Sequence, residues 1–308
     1  MLKVFAILSL LFVSSISQSS VLKVALFLDS GESQSFSAIE LARRGLMEAE
    51  RDFNVFTQIV DMERDARAED IATGLANNGF DLMIGVGSRA AETLCSMASQ
   101  YYQTHFVIVE KSCFSAGNVT EMSFDALSIA DAISQFVQVH RVSSKLRIAW
   151  IEEQSSPRLN AVQDLLKERL SLGRQDAVLK TFRLDRDRLI PLTARIKEEN
   201  YDAVIVLASA PMQDMWLRYW PKGQSALLLS GPGVLPTGMR LIKKFDHLVY
   251  DTIRKSKGQL PISQNVTYGF KGGGLELRFA RPSLSAESAY EKVLDLVTRP
   301  ILTRQSVN

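Results

Sequence analysis

The stretch Asp81–Gly87, DLMIGVG, is apolar almost throughout and runs directly into SRAAETLCSMASQY, Ser88–Tyr101. HFVIVE, His105–Glu110, follows. A short, continuously apolar run bounded by Asp and Gly suits a strand buried on both faces. The segment SRAAETLCSMASQY (Ser88–Tyr101) carries apolar residues at helical spacing, so the whole reads as strand, helix, strand. Such units build parallel sheets covered by helices.

The same rhythm extends in both directions. Upstream, strands are expected at Val21–Leu28 and Phe53–Val60, with helices at Ala38–Asp52 and Ala66–Asn78. Downstream, a strand is expected at Asn118–Phe124 and a helix at Ala126–Val142. The pattern then restarts with LRIAWI, Leu146–Ile151. Helices at Pro157–Leu172, Arg188–Asn200 and Met212–Trp220 alternate with strands at Ala177–Phe182, Asp202–Ala208 and Ala226–Ser230. A helix at Phe245–Lys257, strands at Asn265–Phe270 and Leu275–Ala280, and a last helix at Ala286–Thr298 complete the chain. Two α/β sets therefore stand in series with no Pro/Gly/Ser-rich linker between them. Ligands of open parallel sheets sit at the carboxyl ends of the strands, so two such sets imply a cleft between lobes.

Composition agrees and excludes several chemistries. Of 308 residues, 46% are hydrophobic and 23% charged, enough apolar surface for a packed core. Lys plus Arg is 36 and Asp plus Glu is 34, for a net charge of +2. That balance argues against nucleic acid as a partner. Three His and two Cys are too few for a structural zinc site, so no metal is expected. No P-loop, HExxH or GxSxG motif occurs. His105 begins a strand, and His140 and His247 fall in helices, so no catalytic base follows the carboxyl end of a strand.

Residues 1–17, MLKVFAILSLLFVSSIS, have the positive start, apolar run and small-residue end of a removable signal peptide. The apolar run is shorter than the roughly 20 residues that span a bilayer. No Cys lies near the cleavage point, so no lipid anchor is expected. The mature protein is expected to be periplasmic or secreted, and soluble. In that setting Cys95 and Cys113 are either one disulfide or two separate buried thiols. Asn118-Val-Thr120 and Asn265-Val-Thr267 match the glycosylation pattern, but both fall in expected strands.

Four places carry candidate function. The loop DSGESQSF, Asp29–Phe36, follows the first strand and supplies Asp29, Ser30 and an aromatic, Phe36. It reads either as a ligand loop or as a helix-capping loop. Gly85-Val-Gly-Ser-Arg-Ala90 matches G-x-G-x-x-A, with Glu110 twenty residues beyond Ala90. Read literally, this is a dinucleotide fingerprint with its ribose-binding acid. It lies in the third βα unit of an exported chain, however, so no cofactor is expected. Gly87 and Ser88 remain candidates for backbone contact with a ligand at a helix N-terminus. Trp216 and Trp220, four residues apart, share one helix face and either pack on the sheet or reach the cleft. Arg240-Leu-Ile-Lys243-Lys244 is either a solvated charged stretch or the source of one ligand contact.

Taken together, KVALFLDSG…SFSAIELARRGLMEAE, GFDLMIGVGSRAAETL, HFVIVE, LIKKFDHLVYDTI and YGFKGGGLEL resemble the basic membrane protein family. These are purine-nucleoside-binding components of bacterial ABC transporters. The resemblance covers about Val21 to Leu296. It implies an α/β, type 1 periplasmic-binding-protein-like fold of two lobes, each a parallel sheet flanked by helices. The expected division is residues 18–125 plus 240–265 for the first lobe and 126–239 plus 266–308 for the second. By position, Phe36 matches the first of two base-stacking rings, Trp216 the second, and Lys243 a lysine that hydrogen-bonds ribose. Ser230, Gly87 and Ser88 would line the cleft.

The chain also departs from the family. The acidic pair before Ser-Phe is replaced by Ser33 and Gln34. Leu229-Ser230-Gly231 lacks the acid that holds ribose hydroxyls, and Arg240 stands where the family has serine. The resemblance implies a monomeric, non-enzymatic solute-binding protein working with an inner-membrane permease. A sensory module of the same fold, reporting to a membrane sensor, and an enzyme acting on nucleosides are the rival classes.

Overall fold

In the computed structural model, residues 21–29, 36–62, 67–113, 116–139, 145–153, 157–172, 177–208, 210–220, 226–229 and 239–279 are described. Residues 1–17 and the expected helix at Ala286–Thr298 lie outside them.

The first set comprises β1 (Lys23–Leu28), α1 (Phe36–Phe53), β2 (Phe56–Asp61), α2 (Ala68–Asn77), β3 (Leu82–Val86), α3 (Ser88–Met97), β4 (His105–Val109) and β5 (Val119–Phe124). The second comprises α4 (Ala126–Val139), β6 (Leu146–Glu152), α5 (Pro157–Leu172), β7 (Ala177–Arg183), α6 (Leu189–Glu199), β8 (Ala203–Leu207), α7 (Ala210–Tyr219), β9 (Leu227–Leu229) and β10 (Met239–Lys243). The tail adds α8 (Phe245–Lys257), β11 (Asn265–Tyr268) and β12 (Leu275–Phe279). Two parallel-dominated six-stranded sheets result, ordered β11-β5-β4-β3-β1-β2 and β12-β10-β9-β8-β6-β7.

Central strands read as unbroken apolar runs because helices cover both sheet faces. Every residue of β3 (LMIGV) and β8 (AVIVL) is buried. One apolar cluster runs through both lobes, from Val24, Leu26 and Ile84 to Ile148, Trp150 and Leu207. The outer face of each sheet packs a cluster of its own.

The sheets correct the expected lobe boundaries. Residues Met239–Lys243 pair with β9 and β12, so they extend the second sheet rather than open a return to the first lobe. Residues Asn265–Tyr268 pair in parallel with β5, so β11 closes the edge of the first sheet. The chain therefore crosses between lobes three times, after Phe124, at Lys244 and through Gly269–Gly274. The crossings are joined to one another. Asp125 N donates to Tyr268 O at 2.9 Å, and Lys244 N donates to Gly274 O at 2.8 Å. The Lys244 ammonium also reaches Asp246 at 3.2 Å and Glu276 at 3.4 Å.

Cys95 of α3 and Cys113, just after β4, form a disulfide with Cα atoms 5.7 Å apart. The Asn118 amide donates to the carbonyls of Ala98, Tyr101 and Thr104 at 2.9–3.0 Å. Its side chain is therefore committed to holding the α3–β4 turn, which explains the Asn there without a glycan.

Candidate functional site

The carboxyl ends of both sheets face each other across a cavity of about 340 Å³. The first lobe contributes Glu110, Ser112, Glu121, Ser123, Phe124 and Thr267 to its wall. The second contributes Arg158, Leu159, Val162, Leu207 and Lys243, with Ala126 and Ile129 from the crossing helix. A concave, partly apolar site with a few convergent polar groups is the usual form of a small-molecule site, and about 300–1,000 Å³ is its usual size.

Glu110 is the centre of the polar side. It follows the last residue of β4 and has φ 64°, in the left-handed region where non-glycine residues are uncommon. Its Oε2 accepts from Lys243 Nζ at 2.5 Å, and its Oε1 accepts from Arg158 Nη1 at 2.7 Å. Phe124 N also donates to Oε1, at 3.2 Å. Burial pushes the Glu110 carboxyl up, but the Lys243 and Arg158 charges pull harder and hold it below the usual carboxylate range. Lys243 ends β10, where its ammonium lies 5.4 Å from the centre of the Phe124 ring. Arg158 lies in the first turn of α5, whose first residue is Pro157, a residue suited to that position.

The segment after Glu110 is pinned from several sides. Lys111 pairs with Glu92 of α3, and Cys113 is bonded to Cys95. Cys113 N donates to Glu121 Oε1 at 2.6 Å, while Glu110 N donates to Met122 O at 2.8 Å.

The sequence-derived site residues divide into groups. Lys243 lines the cavity. Asp29 is 1% exposed, and its Oδ2 accepts from Arg89 N at 2.8 Å, so it caps α3. Gly87 has φ 98°, and a Cβ there would lie 2.5 Å from the Cβ of Asp29. A Cβ on Gly85 would lie 3.2 Å from the backbone of Ala90. The glycines of the dinucleotide-like motif thus admit a protein carboxylate to the helix N-terminus, where the fingerprint would put a pyrophosphate. Ser88 is the first residue of α3, beside this cap. An Asp29→Ala substitution removes the cap and is expected to cost about 0.5–2 kcal/mol, read by urea denaturation.

Trp216 is fully buried in the outer core of the second lobe. Its ring stacks on Trp220 with centroids 4.3 Å apart, and it is not part of the cavity wall. Arg240 is 3% exposed and in register with Leu228 and, through it, with Val206, on the face that α7 covers. Phe36 is the first residue of α1, and its side chain lies outside the described residues, as do Ser30 and Ser230. Sequence reading missed Arg158 altogether. It noted Glu110 only as the acid of a dinucleotide fingerprint.

His105 Nε2 lies 2.9 Å from Thr120 Oγ1 at the opposite end of β4, away from the cavity. Among the described residues no group of His, Cys, Asp and Glu could hold a metal ion, and no helix is long and apolar enough to cross a membrane.

Two parallel α/β lobes thus enclose a mixed polar and apolar cavity at their facing carboxyl ends. Residues 22–130 match the model of the Bmp family, described as ABC transporter substrate-binding protein PnrA-like. Over that segment the resemblance stated from the motifs stands. Likeness in fold to solved structures extends over about 90% of the chain. The structure of a transcriptional activator of the comK gene from Bacillus halodurans is similar, with a TM-score of 0.68 at 16% identity over 90% of this chain and 98% of that one. An ABC transporter solute-binding protein from Aeropyrum pernix gives 0.62 at 16% identity, covering 90% and 85%. A 5-methylthioribose transporter solute-binding protein from Thermotoga lettingae, in complex with 5-methylthioribose, gives 0.60 at 12% identity, covering 92% and 94%. At these identities the likeness is one of fold. No curated protein matches the chain in sequence.

Proposed function

We propose that the chain is an exported solute-binding protein that closes its two lobes over a nucleoside or a related aromatic or thio-sugar derivative and presents it to an ABC permease. The observation that carries this reading is the cavity between the facing strand ends. Its wall combines the charged Lys243 and Glu110 with the apolar side chains of Phe124, Ile129, Leu159, Val162 and Leu207. Ammonium and carboxylate suit hydroxyl groups of a sugar, and the apolar wall suits a ring. Among the cavity's charged side chains, Glu110 and Glu121 are matched in number by Arg158 and Lys243, which favours an uncharged solute. The matched family over residues 22–130 supports the transport setting. The resemblance adds Phe36, Ser30 and Ser230 to the site, whereas Gly87 and Ser88 stand beside the Asp29 cap and outside the cavity wall. Trp216 joins it only if α7 shifts, because its ring is packed on Trp220.

Calorimetric titration with adenosine, inosine, guanosine, free purines and 5-methylthioribose tests the reading. Nucleosides are expected to bind at micromolar concentration or tighter. A Lys243→Ala variant is expected to bind about 10–100-fold more weakly, the loss of one charge-assisted hydrogen bond. Binding of 5-methylthioribose alone moves the ligand to thio-sugars. No binding by any of these at millimolar concentration overturns the nucleoside reading.

A further inference from the structure

Glu110 belongs to the first lobe, whereas Lys243 and Arg158 belong to the second. Among the described residues, the ion pairs that span the cleft between the lobe walls both end on this one carboxylate. The other ion pairs lie within a lobe or, at Lys244, on a crossing segment. The Glu110 side chain is 23% exposed and that of Lys243 18%, so the pairs are only partly screened by water. Neither lobe needs them for its own sheet, since Glu110 sits beyond β4 and Lys243 is the last residue of β10.

Two further observations give the carboxylate a fixed aim. Its backbone is held in the left-handed region, and Lys111 and Cys113 after it are tied to α3 and β5 by an ion pair, the disulfide and the Glu121 carboxylate. A residue held at such cost in backbone strain, on a cavity wall, is of the kind that serves a site. A carboxylate offers about four acceptor positions, and three are taken by Lys243, Arg158 and Phe124 N. One remains, on a side chain that lines the cavity, and an ammonium has three donors, so Lys243 has more than the one given to Glu110.

We infer that Glu110 is the latch and positioning residue of the cleft: by pairing with Lys243 and Arg158 it holds the lobes closed before solute arrives and fixes the Lys243 ammonium at the cavity wall. The second half of this statement rests on the solute-binding reading, while the first stands without it. A solute entering the cleft finds Lys243 already oriented, so less ordering is left to the binding step. The cost is a closed population that solute must share with, or take from, the ion pairs.

The test uses the full mature chain without added solute. Spin labels at Tyr102→Cys in the first lobe and Ile190→Cys in the second, both exposed positions, report the inter-lobe distance by pulsed electron resonance. In the otherwise wild-type protein one short-distance population is expected to dominate, and to decline as salt is raised. With Glu110→Gln the closed-to-open ratio is expected to fall about tenfold, the ratio that one charge-assisted hydrogen bond represents, and to lose its salt dependence. Arg158→Met removes one pair only and is expected to give an intermediate ratio with an unchanged melting temperature, which separates opening from unfolding. Wild-type distances in both variants overturn the latch, even if nucleosides bind. Opening in both variants upholds it, even if every tested nucleoside fails to bind.

Discussion

Replacing Trp216 by alanine is expected to lower the unfolding free energy by about 3–5 kcal/mol, the usual cost of truncating a buried aromatic to alanine. The ring has no exposed surface, and its stacking on Trp220 adds to what it buries in the apolar cluster that includes Val206 and Leu228. Denaturant titration monitored by circular dichroism measures the loss. Because the ring is not part of the cavity wall, the folded fraction of the variant is expected to bind solute with wild-type affinity. The opposite result, stability retained within about 1 kcal/mol and binding abolished, would move Trp216 into the solute site and imply a second position for α7. The experiment therefore separates the two readings of the Trp216–Trp220 face that the sequence leaves open.

Gly45→Ala is expected to destabilise the chain even though alanine is the better helix former by about 0.8–1 kcal/mol. Gly45 lies within α1, where α1 crosses α8. A Cβ there would come within 2.2 Å of the Asp246 carbonyl oxygen and 2.9 Å of its carbonyl carbon. Those are backbone atoms, so no side chain can rotate away and the two helices must part. Overpacking of this kind costs about 1–3 kcal/mol and occasionally more, which outweighs the propensity gain. The displaced end of α8 begins at Phe245, next to the crossing at Lys244 and to Lys243, so solute affinity is expected to fall along with stability. Thermal unfolding and calorimetry on the same preparation check both. A melting temperature at or above wild type would mean that the helices have room to separate.

These two positions also mark what the sequence reveals and what it hides. The alternation of apolar runs with amphipathic segments locates nearly all strands and helices, because burial on both faces leaves an unbroken apolar signature in β3 and β8. The strand Met239–Lys243 escapes that reading. It is five residues long, and Arg240 and Lys243 interrupt its apolar run although Arg240 is buried beneath α7. The lobe boundaries follow from this omission, since β10 and β11 exchange sheets only when pairing partners are known.

The site was legible one residue at a time. Lys243 is found through family resemblance. Glu110 is conspicuous as an acid ending a strand, yet its fingerprint reading assigns it the wrong neighbours. Arg158 is separated from Glu110 by 48 residues, and Lys243 from Glu110 by 133. No local pattern can bring two such distant residues to one carboxylate. The glycines of Gly85–Ala90 are a comparable case. Their need for close approach is visible in the sequence, but the approaching group is the Asp29 side chain rather than a cofactor.

The three crossing segments lie side by side and are hydrogen-bonded to one another, Asp125 to Tyr268 and Lys244 to Gly274. A single tether would let the halves swivel, slide and drift apart. Three segments hydrogen-bonded side by side resist torsion about their own length and leave bending as the soft coordinate. The relative motion is thereby reduced to something close to one angle. A mouth that opens along one angle returns its facing walls to the same register at every cycle. Along such a path Glu110 would meet Lys243 and Arg158 without a search.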